Sequence, residues 1–263
     1  VPGTAAAVSV RPAAGAHRTV VRVPPTLADL RTEVSSRFAG LALPAWPRPR
    51  PEGAEPRPEE YSRLTDPGRY RVVHARARVW ADVLAERVGA RLEQLTPPEP
   101  DAAGRRAFDR GLRVTSPLPG RLPLVLLERD VRSSPDDAAL AVLDTGVSRA
   151  DVVLDSQPDC GCDACDDGSV DLLGAVDDTI ASVVGGPHVV LRGPWGSASW
   201  YPDGGRGSFV DHAAPDRVDF RDLMDRCRRL AAGEDVPLPD GTEALVGASW
   251  LDRGASRHPE VRR

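Results

Sequence analysis

The sequence contains no lysine, no asparagine and a single isoleucine, Ile180. All 34 basic side chains are therefore arginines. That skew is the mark of a GC-rich genome, so richness in arginine says little about function. Basic charge is not in excess either. The 39 acidic residues leave a formal net charge of −5, which argues against a nucleic-acid partner. Long apolar runs are missing as well. The densest, Leu124 to Leu127, is strand-sized, whereas a membrane span needs about 18 residues. Val1 to Ala16 has neither a basic start nor a continuous apolar stretch, and is not read as a signal peptide. Cysteine is scarce, and three of the four fall within six positions, unlike a secreted disulfide framework. The expectation is a cytoplasmic protein without a membrane segment. With 263 residues, 41% of them apolar, the chain can build a sizeable core.

Proline is plentiful, at 26 residues about twice the usual share. Residues 1–25 mix Ala, Gly, Pro and Arg and read as a poorly ordered extension. Leu27, Leu30, Val34 and Phe38 are spaced for a helix over 26–38. Residues 43–60 form a Pro-rich connector, stiff and extended, with Trp46 tucked onto the domain. After the turn signal Asp66-Pro67-Gly68, a long apolar stripe through Trp80, Leu84, Val88 and Leu92 predicts a helix from Arg69 to Leu95. Short Val/Leu-rich runs at 112–115, 122–128, 139–143 and 152–154 predict antiparallel strands. A helix follows at 169–184, closed by Gly185-Gly186. His188 to Arg192 and Ser197 to Tyr201 read as a hairpin, Asp203 to Ser208 as a Gly-rich loop, Asp219 to Ala232 as a helix. Ala244 to Leu251 suggests a last strand, and residues 253–263 a polar tail. The sum predicts one α+β domain over 26–252, an antiparallel sheet of four to six strands packed by about three helices.

Asp159-Cys-Gly-Cys-Asp-Ala-Cys-Asp-Asp-Gly-Ser169 is the unusual segment. Cys160, Cys162 and Cys165 can hold a soft metal such as zinc, although tetrahedral zinc takes four ligands. Candidates for the fourth are His188 and Asp163, with Asp159, Asp166, His212 and Cys227 behind them. Cys227 fits better as a small apolar residue on a helix face. Three other readings stay open. The segment is a structural turn in which Asp166 or Asp167 caps the helix, a redox pair of Cys162 and Cys165, or a calcium loop around Asp163, Asp167 and Gly168. The calcium reading lacks its closing acid, because Gly174 stands there. The surrounding aspartates should raise the thiol pKa values, while the helix start should lower that of Cys165.

Ala141-Val-Leu-Asp-Thr-Gly146 looks like the catalytic strand of an aspartyl protease, but that chemistry needs two carboxylates sharing a proton. One triplet supplies one, and Asp144-Thr-Gly also suits a turn. No phosphate loop and no nucleophile elbow is present. The five histidines, at 17, 74, 188, 212 and 258, show no metal spacing. His188 and His212 are the better acid–base candidates, and His74 reads as a polar contact.

Pro158 to Ser169, followed by Leu172-Leu173 and Asp177, resembles the signature of an uncharacterised actinobacterial protein family. Tyr61-Ser-Arg-Leu-Thr-Asp-Pro-Gly-Arg-Tyr70 and the Pro123-Leu-Val-Leu segment resemble it too, over roughly residues 40–252. The resemblance implies a domain of unknown function and carries no catalytic residues. The functional expectation is a non-enzymatic accessory or interaction domain whose cysteine loop is structural or binds a metal. The alternatives are an enzyme using that loop for thiol redox or metal-assisted hydrolysis, and a protein that binds a protein partner through exposed Trp195, Trp200 and Tyr201.

Overall fold

Thr26 starts the first helix by exchanging hydrogen bonds with Asp29. Its hydroxyl accepts from the Asp29 amide at 3.1 Å, and the Asp29 carboxylate accepts from the Thr26 amide at 2.8 Å. The resulting α1, Leu27–Ala39, buries Leu30 and Val34. This computed structural model describes residues 24–252, apart from 52, 101, 103–106, 133, 135–136 and 211–217. Residues 1–23 of the extension expected at 1–25, and the tail at 253–263, lie outside the described residues.

The second helix is shorter than its apolar stripe suggested. A 3-10 turn at Pro67–Arg71 leads into α2, Val72–Val88, and Gly89 ends it in the left-handed conformation, φ 80°. The chain then reverses, and Arg91–Leu95 forms strand β1. Leu92, counted as part of the helical stripe, sits on that strand 37% exposed. Periodicity cannot see this break, because a lone glycine near the end of an apolar stripe fits both readings.

Four more strands follow: β2 (Arg110–Thr115), β3 (Leu124–Val131), β4 (Leu140–Val147) and β5 (Val153–Gln157). They pair in chain order as an antiparallel meander, β1-β2-β3-β4-β5, so β5 is an edge strand. From that edge the cysteine segment leads into α3, Ser169–Gly185, as expected. The remaining strands make a second sheet, β6 (His188–Gly193), β7 (Gly196–Tyr201), β8 (Gly204–Phe209) and β9 (Glu243–Gly247), in the order β8-β7-β6-β9. Helix α4, Phe220–Ala231, precedes β9 and is capped by the Asp219 carboxylate. The class is α+β as expected, and the described residues form two sheets instead of one and four α-helices where about three were expected.

Strand β8 corrects the Gly-rich loop. A Cβ on Gly205 would come within 2.4 Å of the Met224 sulfur, and one on Gly207 within 2.8 Å of the Phe220 ring. The glycines let the strand lie close under α4. Glycine in a strand often marks such close approach, and in a bare sequence it reads as loop.

Two cores result. The larger joins α1, α2 and α3 to one face of the first sheet, around Trp80, Leu84, Leu124, Leu143 and Ile180. The smaller joins α4 to the second sheet around Leu191, Trp195, Leu223 and Cys227. Side chains alternate along β6, so Val190 meets the first core while Val189 and Leu191 meet the second. Trp195, expected on an exposed surface, is 4% exposed and donates from Nε1 to the Thr242 hydroxyl at 3.0 Å. Across the larger core, Asp177 of α3 accepts from Arg76 Nε (2.8 Å), Arg76 Nη2 (2.6 Å) and Trp80 Nε1 (2.7 Å) of α2. Among the described residues no helix is long and apolar enough to cross a membrane.

Candidate metal centre

The cysteine segment is short and rich in acids, so by itself it would be an open, self-repelling loop. It is held by arginines and an indole from the Pro-rich connector and the residues after it. Trp46 lies against the start of α3, where its backbone exchanges hydrogen bonds with Ser169. The Ser169 amide donates to the Trp46 carbonyl at 3.0 Å, and the Trp46 amide donates to the Ser169 hydroxyl at 3.1 Å. Gly168, at φ 90°, permits this approach. A Cβ there would fall 2.6 Å from the Arg48 backbone nitrogen.

Each aspartate beside the connector is engaged. Asp163 accepts from the Thr65 amide and hydroxyl, both at 2.8 Å, and from Arg63 Nε. Arg50 donates to the carbonyls of Asp163 and Ala164 at 2.7 and 2.5 Å. Asp166 accepts from Trp46 Nε1 and the Gly168 amide, both at 2.9 Å, and from Arg69 Nη2 at 2.5 Å. The Arg69 guanidinium lies 4.7 Å from the centroid of the Trp46 ring. Arg48 pairs with Asp167 and Asp171. Asp166 thus fastens the turn before the helix, and Gly168 occupies the N-cap without a side-chain bond.

With the acids so committed, the thiols are what the loop presents. Cys160 and Cys165 are exposed, Cys162 is half-buried, and none forms a disulfide. Their three sulfurs lie within 4.8 Å of one another, and Cys160 Sγ is 3.2 Å from Cys162 Sγ. Three sulfurs about 2.3 Å from one tetrahedral ion would stand about 3.8 Å apart, so the group has the dimensions of a metal site. Among the described residues it is the one group of three or more His, Cys, Asp or Glu whose ligand atoms converge in this way.

The neighbours set the protonation order, and it differs from the expectation that the helix start depresses Cys165. The hydrogen bond to Cys162, with burial behind it, pushes the Cys165 thiol up to about 12. Burial also opposes the Cys162 thiolate. Hydrogen bonds from Cys160, Cys165 and the amides of Cys165 and Ala164 outweigh it and bring Cys162 below the ordinary thiol value. Of the aspartates expected to raise the thiols, Asp163, Asp166 and Asp167 face arginines instead.

Neither preferred fourth ligand joins the group. The Asp163 carboxylate is held by Arg63 and Thr65. His188 is 2% exposed, places Nδ1 3.3 Å from the Ser182 carbonyl and stacks on Tyr201. Ser182 stands 13 residues beyond Ser169 on α3, roughly 20 Å along the helix axis at 1.5 Å per residue. His188 is a core residue, and burial lowers its pKa to about 4. His212 lies outside the described residues. Cys227 is fully buried on α4, where burial pushes its thiol up to about 12, in keeping with an apolar role. His74 is buried, with Nε2 2.9 Å from the Val142 carbonyl.

The Asp144-Thr-Gly triplet lies inside β4, not in a turn. Its carboxylate is spent on Arg129 (2.6 and 3.0 Å) and the Ser156 hydroxyl (2.6 Å), not on a second carboxylate.

The sequence model of one protein family, DUF6226, described as a family of unknown function, matches residues 34–254. The chain belongs to this family. No curated protein and no solved structure matches it. The DUF6226 match takes in both sides of the site, the connector with Trp46 and the loop with its three cysteines. The residues that shape this DUF6226 site from afar, Trp46, Arg50, Arg63, Thr65 and Arg69, lie about 100 to 120 positions before their partners. Nothing in one sequence pairs positions so distant. The only hint was an aromatic residue in a connector made mostly of Pro, Arg and Glu.

Proposed function

We propose that the chain is a metal-binding accessory domain that captures one soft metal ion on Cys160, Cys162 and Cys165. One observation carries this reading. Asp163, Asp166 and Asp167 are engaged by arginines of the connector and the residues after it, whereas the three sulfurs gather within 4.8 Å at the surface. All-sulfur donors favour thiophilic ions, with zinc as the ion expected from sequence. Metal analysis of protein purified without chelator, paired with a count of reactive thiols, tests it. One equivalent of metal, with three thiols blocked until a chelator is added, is the expected result. No metal after exposure to zinc or to copper(I), with all three thiols freely reactive, removes the reading. A second reading, thiol redox, draws on the 3.2 Å between Cys160 and Cys162. It moves the reactive pair from the Cys162 and Cys165 expected at first. Reversible loss of two thiols on mild oxidation, in protein that binds no metal, would favour it.

A further inference from the structure

We propose that the ion is cargo and not a staple: a monovalent, three-coordinate Cu(I), taken up and handed on through the exposed face of the loop. This rests on the reading of the three thiols as metal ligands. Two independent features of the site point to it.

The first is the donor count. A structural zinc site is closed by four protein ligands. Here three sulfurs converge, and no fourth His, Cys, Asp or Glu among the described residues joins them. The nearby carboxylates of Asp163 and Asp166 are saturated by Arg63, Thr65, Arg69, Trp46 and the Gly168 amide. Three soft donors with no hard one suit an ion that prefers thiolate and is content with three bonds.

The second is what fixes the loop. A structural metal stabilises a fold by closing a long segment or by holding together parts that otherwise separate. Cys160 to Cys165 spans six residues, so a bond across it removes little chain entropy. Beside the short contacts among the sulfurs themselves, the loop is fixed to the rest of the fold by contacts that involve no sulfur. These are Arg50 on two carbonyls, Asp163 on Thr65, Asp166 on Trp46, and Gly161 against Leu140, where a Cβ would fall 2.5 Å from Leu140 Cδ2. A site held ready by its own surroundings, with Cys160 and Cys165 exposed, can load and unload without unfolding.

The exchange balances without redox chemistry. Each S–Cu bond replaces an S–H bond or a free thiolate, and the thiol protons pass to solvent. On release, the acceptor's sulfurs give up their protons and bond to copper as the loop's S–Cu bonds break, the vacated loop sulfurs take protons back from solvent, and copper stays Cu(I).

The test titrates the full chain, anaerobically, against the coloured Cu(I)–bicinchoninate complex, beside a parallel zinc titration. The expected result is one Cu(I) withdrawn per chain. X-ray absorption should show three sulfur neighbours and no nitrogen or oxygen. Dithiothreitol should remove the ion while the circular dichroism spectrum stays unchanged. Cys160→Ser, an exposed single change, should weaken Cu(I) at least 100-fold and leave the melting temperature of the metal-free chain in place. Cys165→Ser repeats the test should the first variant fold poorly. One zinc held by four protein ligands, with unfolding on chelation, would overturn the proposal while sparing the metal-binding reading. Uptake of neither ion would remove both.

Discussion

Replacing Asp177 with Ala should be among the most damaging single changes in the described structure. Its carboxylate takes three hydrogen bonds, two from Arg76 and one from Trp80, at 2.6 to 2.8 Å. The Arg76 side chain is only 6% exposed. Its remaining contacts are the Ser35 hydroxyl at 3.0 Å, the Val34 carbonyl at 3.4 Å and the face of Phe38. None of these carries a negative charge. Asp177→Ala therefore strands a buried guanidinium and orphans the Trp80 N–H. Breaking a buried pair from one side costs about 3–5 kcal/mol, against a total of roughly 5–15 kcal/mol for a domain. Taking both charges away together differs in kind, because the desolvation cost disappears with the attraction. Arg76→Met with Asp177→Leu should therefore lie within about 2 kcal/mol of the parent. Urea unfolding with an unchanged denaturant slope reads both variants, and the singles Arg76→Met and Asp177→Leu complete the double-mutant cycle that isolates the coupling. A loss under about 1 kcal/mol in Asp177→Ala, or a double variant as damaged as the single, would refute the account.

Three further outcomes are expected. His188 binds its proton in the unfolded chain near pH 6.5 but in the folded one only near pH 4, because burial opposes its charge. Its contribution is therefore complete above pH 6.5 and drains away between 6.5 and 4, a loss of about 2–3 kcal/mol from pH 7.5 to 4.5. Stability measured at both pH values should lose that part of its pH dependence in His188→Phe, and an unchanged slope would count against it. Gly168→Ala, with a Cβ 2.6 Å from the Arg48 backbone, should lift the connector off the loop at a cost of about 1–3 kcal/mol. Trp46 fluorescence should shift to the red, and an unshifted spectrum with full stability would contradict the packing. Cys227, fully buried, should resist thiol reagents until denaturant is added, and Cys227→Ser should cost about 1–3 kcal/mol by burying an unpaired hydroxyl. Prompt labelling of Cys227 in native protein would show that α4 opens easily.

Where local pattern dominated, the fold was legible. Helices α1, α3 and α4 follow apolar spacing, α1 and α4 with side-chain caps as well, and the β6–β7 hairpin follows its Gly-bounded turn. Where a tertiary contact decided, it was not. Strand β1 hides behind Gly89 in a helix-like stripe, and β8 looks like a loop because its glycines answer to α4. The division into two sheets depends on β9 joining β6 from some fifty residues away, a pairing no local pattern announces. At the site, cysteine spacing pointed to the thiols, since ligands two and three positions apart can converge on one ion. The arginine clamp stayed hidden, and so did the fate of the acids. An aspartate reads the same in a sequence whether it faces a metal, a helix end or a distant guanidinium.

The clamp also sets an order of assembly. Trp46 meets Asp166 across 120 positions of sequence, with the five strands of the first sheet between them. Contacts so far apart pay their chain entropy late in folding. Synthesis delivers the connector long before the loop it will hold. Until the meander has returned the chain to the connector, the three cysteines are side chains on a loose segment, with no common focus. Pulse-labelled hydrogen exchange should find the Asp163 and Ser169 amides protected after those of β3 and β4, and earlier protection would contradict this order. The thiol face is thus a product of the finished fold, so the proposed metal uptake requires a completed molecule and not a nascent one.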